Sequence, residues 1–169
     1  ARIFKDSRHV LEIGSGTGQH AVFFASELKH LTWQTSDVLA NHQGIHRWLS
    51  AYPAPNLLTP VEFDLCAPIW PDKKIDAVFS ANTAHIVSWP LVEVMFTTIA
   101  AHLPVGGYFV LYGPFNYAGQ FTSDSNRAFD QFLRERDPAS GIRDIEALQT
   151  LAARVGLELQ DDVEMPANN

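Results

Sequence analysis

The segment HVLEIGSGTGQHAVFFA, from His9 to Ala25, constrains the fold more than any other part of this chain of 169 residues. Gly14, Gly16 and Gly18 stand at alternate positions, directly after one apolar run and directly before another. A strand that ends in glycines and continues as a helix is typical of a loop whose bare backbone approaches a ligand closely. The segment therefore predicts a strand, a ligand-binding loop and a helix.

The rest of the chain continues the alternation of strand-like and helix-like patterns. The predicted strands are HVLEI, LTWQTSD, LLTPVEFDL, IDAVFSA, VGGYFVLYGP and GLELQDDVEM. The predicted helices are GQHAVFFASELKH, NHQGIHRWLSAY, WPLVEVMFTTIAAHL, SDSNRAFDQFLRER and DIEALQTLAARV. This order predicts an α/β fold, a mostly parallel doubly wound sheet with helices on both faces, as a single domain over residues 1–169. Ligands of such sheets bind beyond the carboxyl ends of the strands.

Charge and composition limit the classes of partner. The net charge is −7 and the basic residues are scattered, so we expect no nucleic acid. No apolar run approaches the ~18 residues of a membrane span. A single cysteine, Cys66, and the absence of a signal-like start favour a reducing, cytoplasmic setting. His42 and His46 have metal-ligand spacing, but no third ligand completes a site, so we expect no metal.

The spacing of the glycines and the residue before them indicate the kind of ligand. The dinucleotide fingerprint places its third glycine one residue later, and the Gly-Lys-Ser/Thr of a phosphate-binding P-loop is absent. Glu12 ends the first strand, where a carboxylate repels a pyrophosphate and attracts a cation. The predicted ligand is therefore positively charged near Glu12, and a nicotinamide cofactor is disfavoured.

The E-x-G-x-G-x-G pattern resembles motif I of the class I S-adenosylmethionine-dependent methyltransferases. The resemblance implies that the loop wraps the amino-acid part of the cofactor, with Glu12 near its ammonium group. It also implies that Asp37 accepts the ribose hydroxyls and that Asp64 accepts from the adenine amine. Either aspartate has the alternative of capping a helix or a turn. The implied cofactor-binding residues are Glu12, Gly14, Ser15, Gly16, Thr17, Gly18, Gln19, His20, Asp37, Val38, Asp64, Leu65, Ser80, Ala81 and Asn82.

Longer segments resemble one subgroup of methyltransferase-like proteins of largely unassigned function, which includes methyltransferase-like 26. These segments are VLEIGSGTGQHAVFFA, FSANTAHIVSWP, LYGPFNYAGQFTSDSN, RDPASGIRD and MPANN. The class I sheet has seven strands, and the subgroup continues past MPANN, whereas a seventh strand and most of a helix before the first strand are missing here. We therefore expect a domain truncated at both ends, with strand five at an unpaired edge.

The loops after strands four and five supply the candidate catalytic residues. Asn82 either orients the acceptor or contacts the cofactor's methionyl carboxylate. His85 is either a general base or a residue that holds its loop in shape. Tyr112 supplies a polar group after strand five. The Asn/Asp-Pro-Pro-aromatic motif of the family's amino-methylating members is absent, which disfavours planar nitrogen acceptors.

The candidate acceptor-binding residues are Tyr112, Phe115, Asn116, Tyr117 and Arg143. Aromatic side chains here either cover a small acceptor and exclude water or belong to the core and a rigid turn. Arg143 pairs either with an acceptor carboxylate or with an aspartate such as Asp137 or Asp144.

The resemblance implies an enzyme that transfers a methyl group from S-adenosylmethionine to oxygen, nitrogen or sulfur of a small molecule, with S-adenosylhomocysteine as product. The alternative is a module that binds these cofactors without catalysis and acts through a protein partner.

Overall fold

The computed structural model describes residues 3–165. The strands are β1 (His9–Ile13), β2 (Thr32–Asp37), β3 (Leu57–Glu62), β4 (Ala77–Ala81), β5 (Tyr108–Tyr112), β6 (Phe115–Asn116) and β7 (Arg143–Asp144). The helices are α1 (Gln19–Glu27), α2 (Leu39–Ala51), α3 (Trp89–His102), α4 (Asp124–Arg136) and α5 (Ile145–Arg154). The predicted helices and the first five predicted strands are therefore present.

The main sheet has five strands in the order β3-β2-β1-β4-β5. Strand β1 is central, and it pairs in parallel with β2 on one side and β4 on the other. Strand β2 also pairs in parallel with β3. This order, in which the chain winds outward from β1 in both directions, is that of doubly wound folds. The predicted α/β class with a mostly parallel sheet is confirmed.

The chain divides into two compact units. The first comprises residues 1–81 and 101–111, and the second comprises residues 82–100 and 112–169. The glycine segment and most of the five-stranded sheet belong to the first unit, whereas α4, α5 and the two-stranded sheet of β6 and β7 belong to the second. The single domain expected from the sequence stays a prediction.

An aromatic cluster fills the face of the sheet under α1. Strand register pairs Val10 with Trp33, so both side chains lie on one face. Phe24 of α1 stacks on Trp33, which is fully buried, and meets Phe79 edge-on, each at a ring-centroid distance of 5.1 Å. Burial of these rings contributes several kcal/mol, at about 1.5–3 kcal/mol for a buried Phe. The cluster thereby fixes α1, and with it the loop that precedes the helix.

The predicted sixth strand, GLELQDDVEM, is wrong. Residues 157–165 form no strand, and residues 158–165 are all exposed. Without a buried face, an alternating pattern does not stabilise a strand. The two-residue strands β6 and β7 were not predicted, because such short elements have no detectable period. Residues 166–169, which complete MPANN, lie outside the described residues.

The strand order places β5 last in the sheet, with β4 as its neighbour among residues 3–165. The helices found in the same range are all too short or too polar to span a bilayer.

Candidate functional site

The glycine loop between β1 and α1 has a backbone that favours glycine. Gly14, Gly16 and Gly18 have φ angles of 74°, 60° and 91°, in the left-handed region that side chains with a Cβ disfavour. The Gly18 amide donates to the carbonyl oxygen of Ser15 at 2.8 Å and closes the turn. The loop therefore passes tightly from the end of β1 into the first residue of α1.

Two of these glycines differ in what surrounds them. A Cβ on Gly18 would meet Leu49 at 3.4 Å and Ile45 at 3.5 Å, which are ordinary van der Waals distances, so its left-handed φ is what favours glycine there. A Cβ on Gly16 would have no described heavy atom within 4 Å. The space beside Gly16 is open, as a cradle for a ligand requires.

Ser15 ties the loop to the sheet. Its hydroxyl donates to Oε2 of Glu12 at 2.8 Å and accepts from the amide of Ser36 at 3.0 Å. Its own amide donates to the carbonyl oxygen of Ser36 at 2.9 Å. Because the Ser15 side chain is buried and hydrogen-bonded to Glu12 and Ser36, it holds the loop against the sheet.

Glu12 has one satisfied and one unsatisfied carboxylate oxygen. Its side chain is 1% exposed, and Oε2 also accepts from the indole Nε1 of Trp33 at 3.2 Å. Oε1 is buried and has no hydrogen-bond partner among the described residues. Burial raises the pKa of Glu12 to about 7, against the lowering effect of its hydrogen bonds to Ser15 and Trp33. A buried acceptor without a donor fits a ligand that brings its own cation or N–H group.

Asp37 connects the end of β2 to the glycine loop. Its Oδ2 accepts from the amide of Gly16 at 2.7 Å. Its Oδ1 accepts from the amide of Val38 at 2.8 Å and from the side-chain amide of Asn41 at 2.9 Å. Since a carboxylate oxygen has two lone pairs, Oδ2 retains one for a ligand hydroxyl. The carboxylate thus shapes the loop and keeps acceptor capacity.

Asp64 shows the turn-capping geometry that the sequence left open. Its Oδ1 accepts from the amide of Cys66 at 2.8 Å, two residues on, and its carbonyl accepts from Ala67. The adenine contact stays a prediction for this carboxylate. Leu65 is buried, whereas the apolar Val38 is 36% exposed.

The remaining predicted cofactor residues of the first unit differ in accessibility. Thr17 and Gln19 are exposed at the loop. His20 is half-buried, its ring lies 6.0 Å from that of Phe79, and burial lowers its pKa. Ser80 is fully buried and donates to the carbonyl oxygen of Ile13 at 2.9 Å. Ser80 and Ala81 are thus buried at the end of β4, and their cofactor role stays a prediction.

In the second unit, Asn82 has a strained backbone at the start of the loop after β4. Its φ is 56°, and its amide donates to the carbonyl oxygen of Tyr112 at 2.9 Å. A Cβ on Gly113 would lie 3.5 Å from both Oδ1 of Asn82 and Nδ1 of His85. The candidate residues Asn82 and His85 therefore lie close together beside Gly113, which follows Tyr112 in the chain. A left-handed non-glycine residue frequently marks a functional site.

His85 is held from several directions. It is 4% exposed, its ring meets Phe129 edge-on at 5.3 Å, and its carbonyl accepts from the amide of Gly141 at 2.9 Å. Burial, together with the positive charge of Arg143, lowers the pKa of His85 to about 4. The imidazole is therefore neutral at pH 7. These contacts are those expected of a loop-holding histidine, and the general-base role stays a prediction.

Arg143 binds backbone carbonyls of its own unit. Its guanidinium donates to the carbonyl oxygens of Ala84 at 3.0 Å, Val87 at 2.6 Å and Ala139 at 2.9 Å. Sequence reasoning had offered an acceptor carboxylate or a nearby aspartate as its partner. Carbonyl partners leave no sequence signal, so this clamp was missed. The contacts place Arg143 as a support of the loop that carries His85.

Strands β6 and β7 bring three candidate acceptor residues together. Parallel pairing sets Phe115 opposite Arg143 and Asn116 opposite Asp144. Asn116 is 8% exposed, and its Oδ1 is buried without a hydrogen-bond partner in the described structure. The hydroxyl of Tyr117 instead donates to Asp162 at 3.0 Å, in an exposed turn. Asn116 therefore has the unsatisfied acceptor expected of a binding residue.

The whole chain, residues 1–169, matches the model of a family described as "Protein of unknown function (DUF938)". The chain belongs to this family. The description of this family names no reaction.

Two solved structures of similar fold are O-methyltransferase family proteins. An O-methyltransferase family protein from Burkholderia thailandensis has a TM-score of 0.84 at 13% identity, over 96% of this chain and 49% of its own. An O-methyltransferase family 2 protein from Planctomyces limnophilus, in complex with apigenin, has a TM-score of 0.85 at 14% identity, over 99% of this chain and 50% of its own. The chain thus spans about half the length of these proteins. The predicted Rossmann-like methyltransferase fold is confirmed.

Sequence reasoning missed the donors that complete the loop. Trp33 donates to Glu12, Ser36 donates to Ser15, and Asn41 donates to Asp37. The positions of Trp33 and Ser36 within β2 were a signal, because adjacent parallel strands share a register. Metal-ligating clusters are not found among residues 3–165, and His42 Nε2 instead lies 3.0 Å from the carbonyl oxygen of Asp37.

Proposed function

We propose that this protein transfers a methyl group from S-adenosylmethionine to a small-molecule acceptor and releases S-adenosylhomocysteine. The observation that carries the proposal is the buried, unpartnered Oε1 of Glu12 behind an open glycine loop. We also infer that the chain forms one domain and that it belongs to the methyltransferase-like 26 subgroup, which segments such as YGPFNY support. We infer a reducing, cytoplasmic location from its single cysteine.

The residues of the first unit fit this cofactor in charge and shape. The ammonium of its methionine part pairs with Glu12, which ionises as the cation arrives. The free lone pair of Asp37 Oδ2 accepts a ribose hydroxyl, and the open space at Gly16 admits the methionine chain. Val38 and Leu65 flank the adenine, whose amine donates to Asp64. Each assignment follows the resemblance, and those of Glu12, Gly16 and Asp37 use an oxygen or a space that the fold leaves available.

Bound S-adenosylmethionine supplies an electrophilic methyl group on a sulfonium. The protein has to align the acceptor with that methyl and to keep water away. Arg143 and the Gly141 amide hold the loop from Asn82 to Val87, so that Asn82 keeps a fixed direction. The neutral imidazole of His85 is a proton acceptor at pH 7, although a weak one because its pKa is low.

The acceptor is proposed to be small and to present a hydrogen-bond donor. Asn116 Oδ1 is the unsatisfied acceptor that would receive it, beside the half-buried ring of Phe115. A structure of similar fold is an O-methyltransferase family protein in complex with apigenin, which supports an acceptor hydroxyl. The net charge of −7 argues against a nucleic-acid acceptor.

Calorimetric titration with S-adenosylmethionine, S-adenosylhomocysteine and NAD tests the proposal. We expect micromolar binding of the first two and none of NAD. Gly16→Ala should weaken binding by about tenfold or more, because its Cβ fills the cradle. Gly106→Ala is the matched control, since Gly106 also has a positive φ and open surroundings. Absence of cofactor binding to the folded wild type, or equal losses in both variants, would contradict the proposal.

A further inference from the structure

A cavity of about 520 Å³ lies at the amino-terminal edge of the sheet. It is lined by His9 at the start of β1, by Lys73–Asp76 before β4, and by His102 and Pro104 between α3 and β5. The glycine loop follows the carboxyl end of β1, so parallel strand order puts this cavity at the opposite edge. It is therefore distinct from the proposed cofactor site.

Positive charge predominates in the lining. The lining contains three cationic side chains, Arg8, Lys73 and Lys74, and one carboxylate, that of Asp76. Asp76 is turned to the backbone, because its oxygens accept from the amide of Arg8 at 2.9 and 3.1 Å and from that of His9 at 3.0 Å. Within the described residues, neither the Arg8 nor the Lys74 side chain has an ion-pair partner. On a chain of net charge −7, this concentration of cations attracts an anion.

One of these cations is held in place by a buried side chain. The Lys73 ammonium donates to Oε1 of Gln34 at 2.5 Å, and Gln34 is 1% exposed. The amide nitrogen of Gln34 is fixed in turn by the carbonyl oxygens of Thr35 at 2.9 Å and Thr59 at 2.7 Å. An ammonium has three N–H donors, so two remain for a ligand at a position that the fold has set.

An aromatic wall completes the cavity. The indole of Trp70 stacks on the imidazole of His102 at 4.8 Å with an interplanar angle of 9°, and Phe63 meets the indole edge-on at 6.3 Å. Such a flat, braced surface suits a planar ring, whereas small inorganic anions make no use of it.

We propose that this cavity binds a small phosphorylated molecule that carries a planar ring. The phosphate is bound by Lys73, Lys74 and Arg8, and the ring lies against Trp70. A dianionic phosphate satisfies several convergent donors at once. The volume lies in the range of small-molecule pockets, about 300–1,000 Å³, which favours this ligand over an acidic peptide.

Calorimetric titration with phenyl phosphate, phenol and inorganic phosphate tests the proposal without an adenine that the cofactor site could take. We expect phenyl phosphate to bind more tightly than either of the others. Trp70→Leu should reduce its affinity to that of inorganic phosphate. Saturating S-adenosylhomocysteine should leave the affinity unchanged, and competition between the two would place the ligand elsewhere and overturn the proposal.

A charge-matched pair of variants separates the site from general attraction. Arg8→Glu with Lys74→Glu should weaken phenyl phosphate by about tenfold or more. Lys29→Glu with Arg47→Glu makes the same change in net charge at exposed positions outside the cavity and should have little effect. Lys74→Gln alone, expected to give about a threefold loss, serves if the double variant is unfolded by circular dichroism. Equal losses in the two double variants, or no binding by the wild type, would overturn the proposal.

Discussion

The loops that follow β1 and β4 use their polar groups in opposite ways. The first leaves open space at Gly16 and an unpartnered oxygen on Glu12. In the second, Arg143 takes the carbonyls of Ala84 and Val87, and the amide of Gly141 takes that of His85. The first loop thus has an unpartnered oxygen and open space beside it. The backbone carbonyls of the second loop are instead used in hydrogen bonds that hold that loop in place.

The ionisable groups of the two loops show the same contrast. Burial is the main cause of both shifts and favours the neutral form of each, raising the pKa of Glu12 to about 7 and lowering that of His85 to about 4. Glu12 can recover its charge when a cation binds, but His85 already faces the positive charge of Arg143. Glu12 therefore lacks a counter-charge that a cationic ligand could provide. His85 instead lies near a charge of its own sign, which keeps the imidazole neutral.

The largest expected effect comes from Glu12→Gln. The folded-state pKa of Glu12 is raised above its ordinary 4.5, so stability present below pH 4.5 is lost as the pH rises to about 7. Glutamine removes this loss and should raise the free energy of unfolding at pH 8 by up to about 3 kcal/mol. Urea unfolding at pH 4.5 and pH 8 measures it. A variant less stable than the wild type at pH 8 would contradict the destabilising burial of the Glu12 carboxylate.

Arg143→Met tests whether the second loop depends on its guanidinium contacts. It leaves the carbonyls of Ala84, Val87 and Ala139 without their donor, which should cost about 2 kcal/mol. Arg47→Met, at an exposed position, is the control and should change stability by less than about 0.5 kcal/mol. Chemical denaturation compares the two. Equal effects would show that the Arg143 clamp contributes nothing.

His85→Asn tests the opposite pH window. Because its folded-state pKa lies near 4, below the ordinary 6.5, the stability that His85 contributes is present above pH 6.5 and is lost as the pH falls towards 4. Because the interval from pH 7 to pH 5 covers only part of this range, the loss of stability there is about 2 kcal/mol or less. The difference in stability between pH 5 and pH 7 should therefore be smaller in the variant than in the wild type. A larger difference would contradict the buried, neutral imidazole.

The smallest effect is expected for Asn116→Leu. Since Oδ1 of Asn116 has no partner among the described residues, its removal should change stability by less than about 1 kcal/mol. Asn126→Leu is the matched control, because Asn126 is equally buried and donates to Thr122 at 2.9 Å. Thermal unfolding of both variants is the measurement. A larger loss at Asn116 than at Asn126 would mean that its amide serves the fold.

The sequence predicted what local patterns encode. The strand–glycine–helix segment, the first five strands and the carboxylates at the ends of β1 and β2 all follow from short-range periodicity and from parallel sheet geometry. The donor from Trp33 to Glu12 and the carbonyl partners of Arg143 depend on contacts between distant segments, which periodicity does not show. The sixth strand failed because GLELQDDVEM alternates without a surface to bury its apolar side.

In the proposed complex, Glu12 receives the ammonium group of a cofactor held by the glycine loop. The most direct measurement compares S-adenosylhomocysteine with 5′-methylthioadenosine, which lacks the amino-acid part, on wild type and Glu12→Gln at pH 7.5. We predict that the variant binds S-adenosylhomocysteine about tenfold or more weakly and methylthioadenosine with unchanged affinity. Equal affinities of the two proteins for S-adenosylhomocysteine would contradict the account.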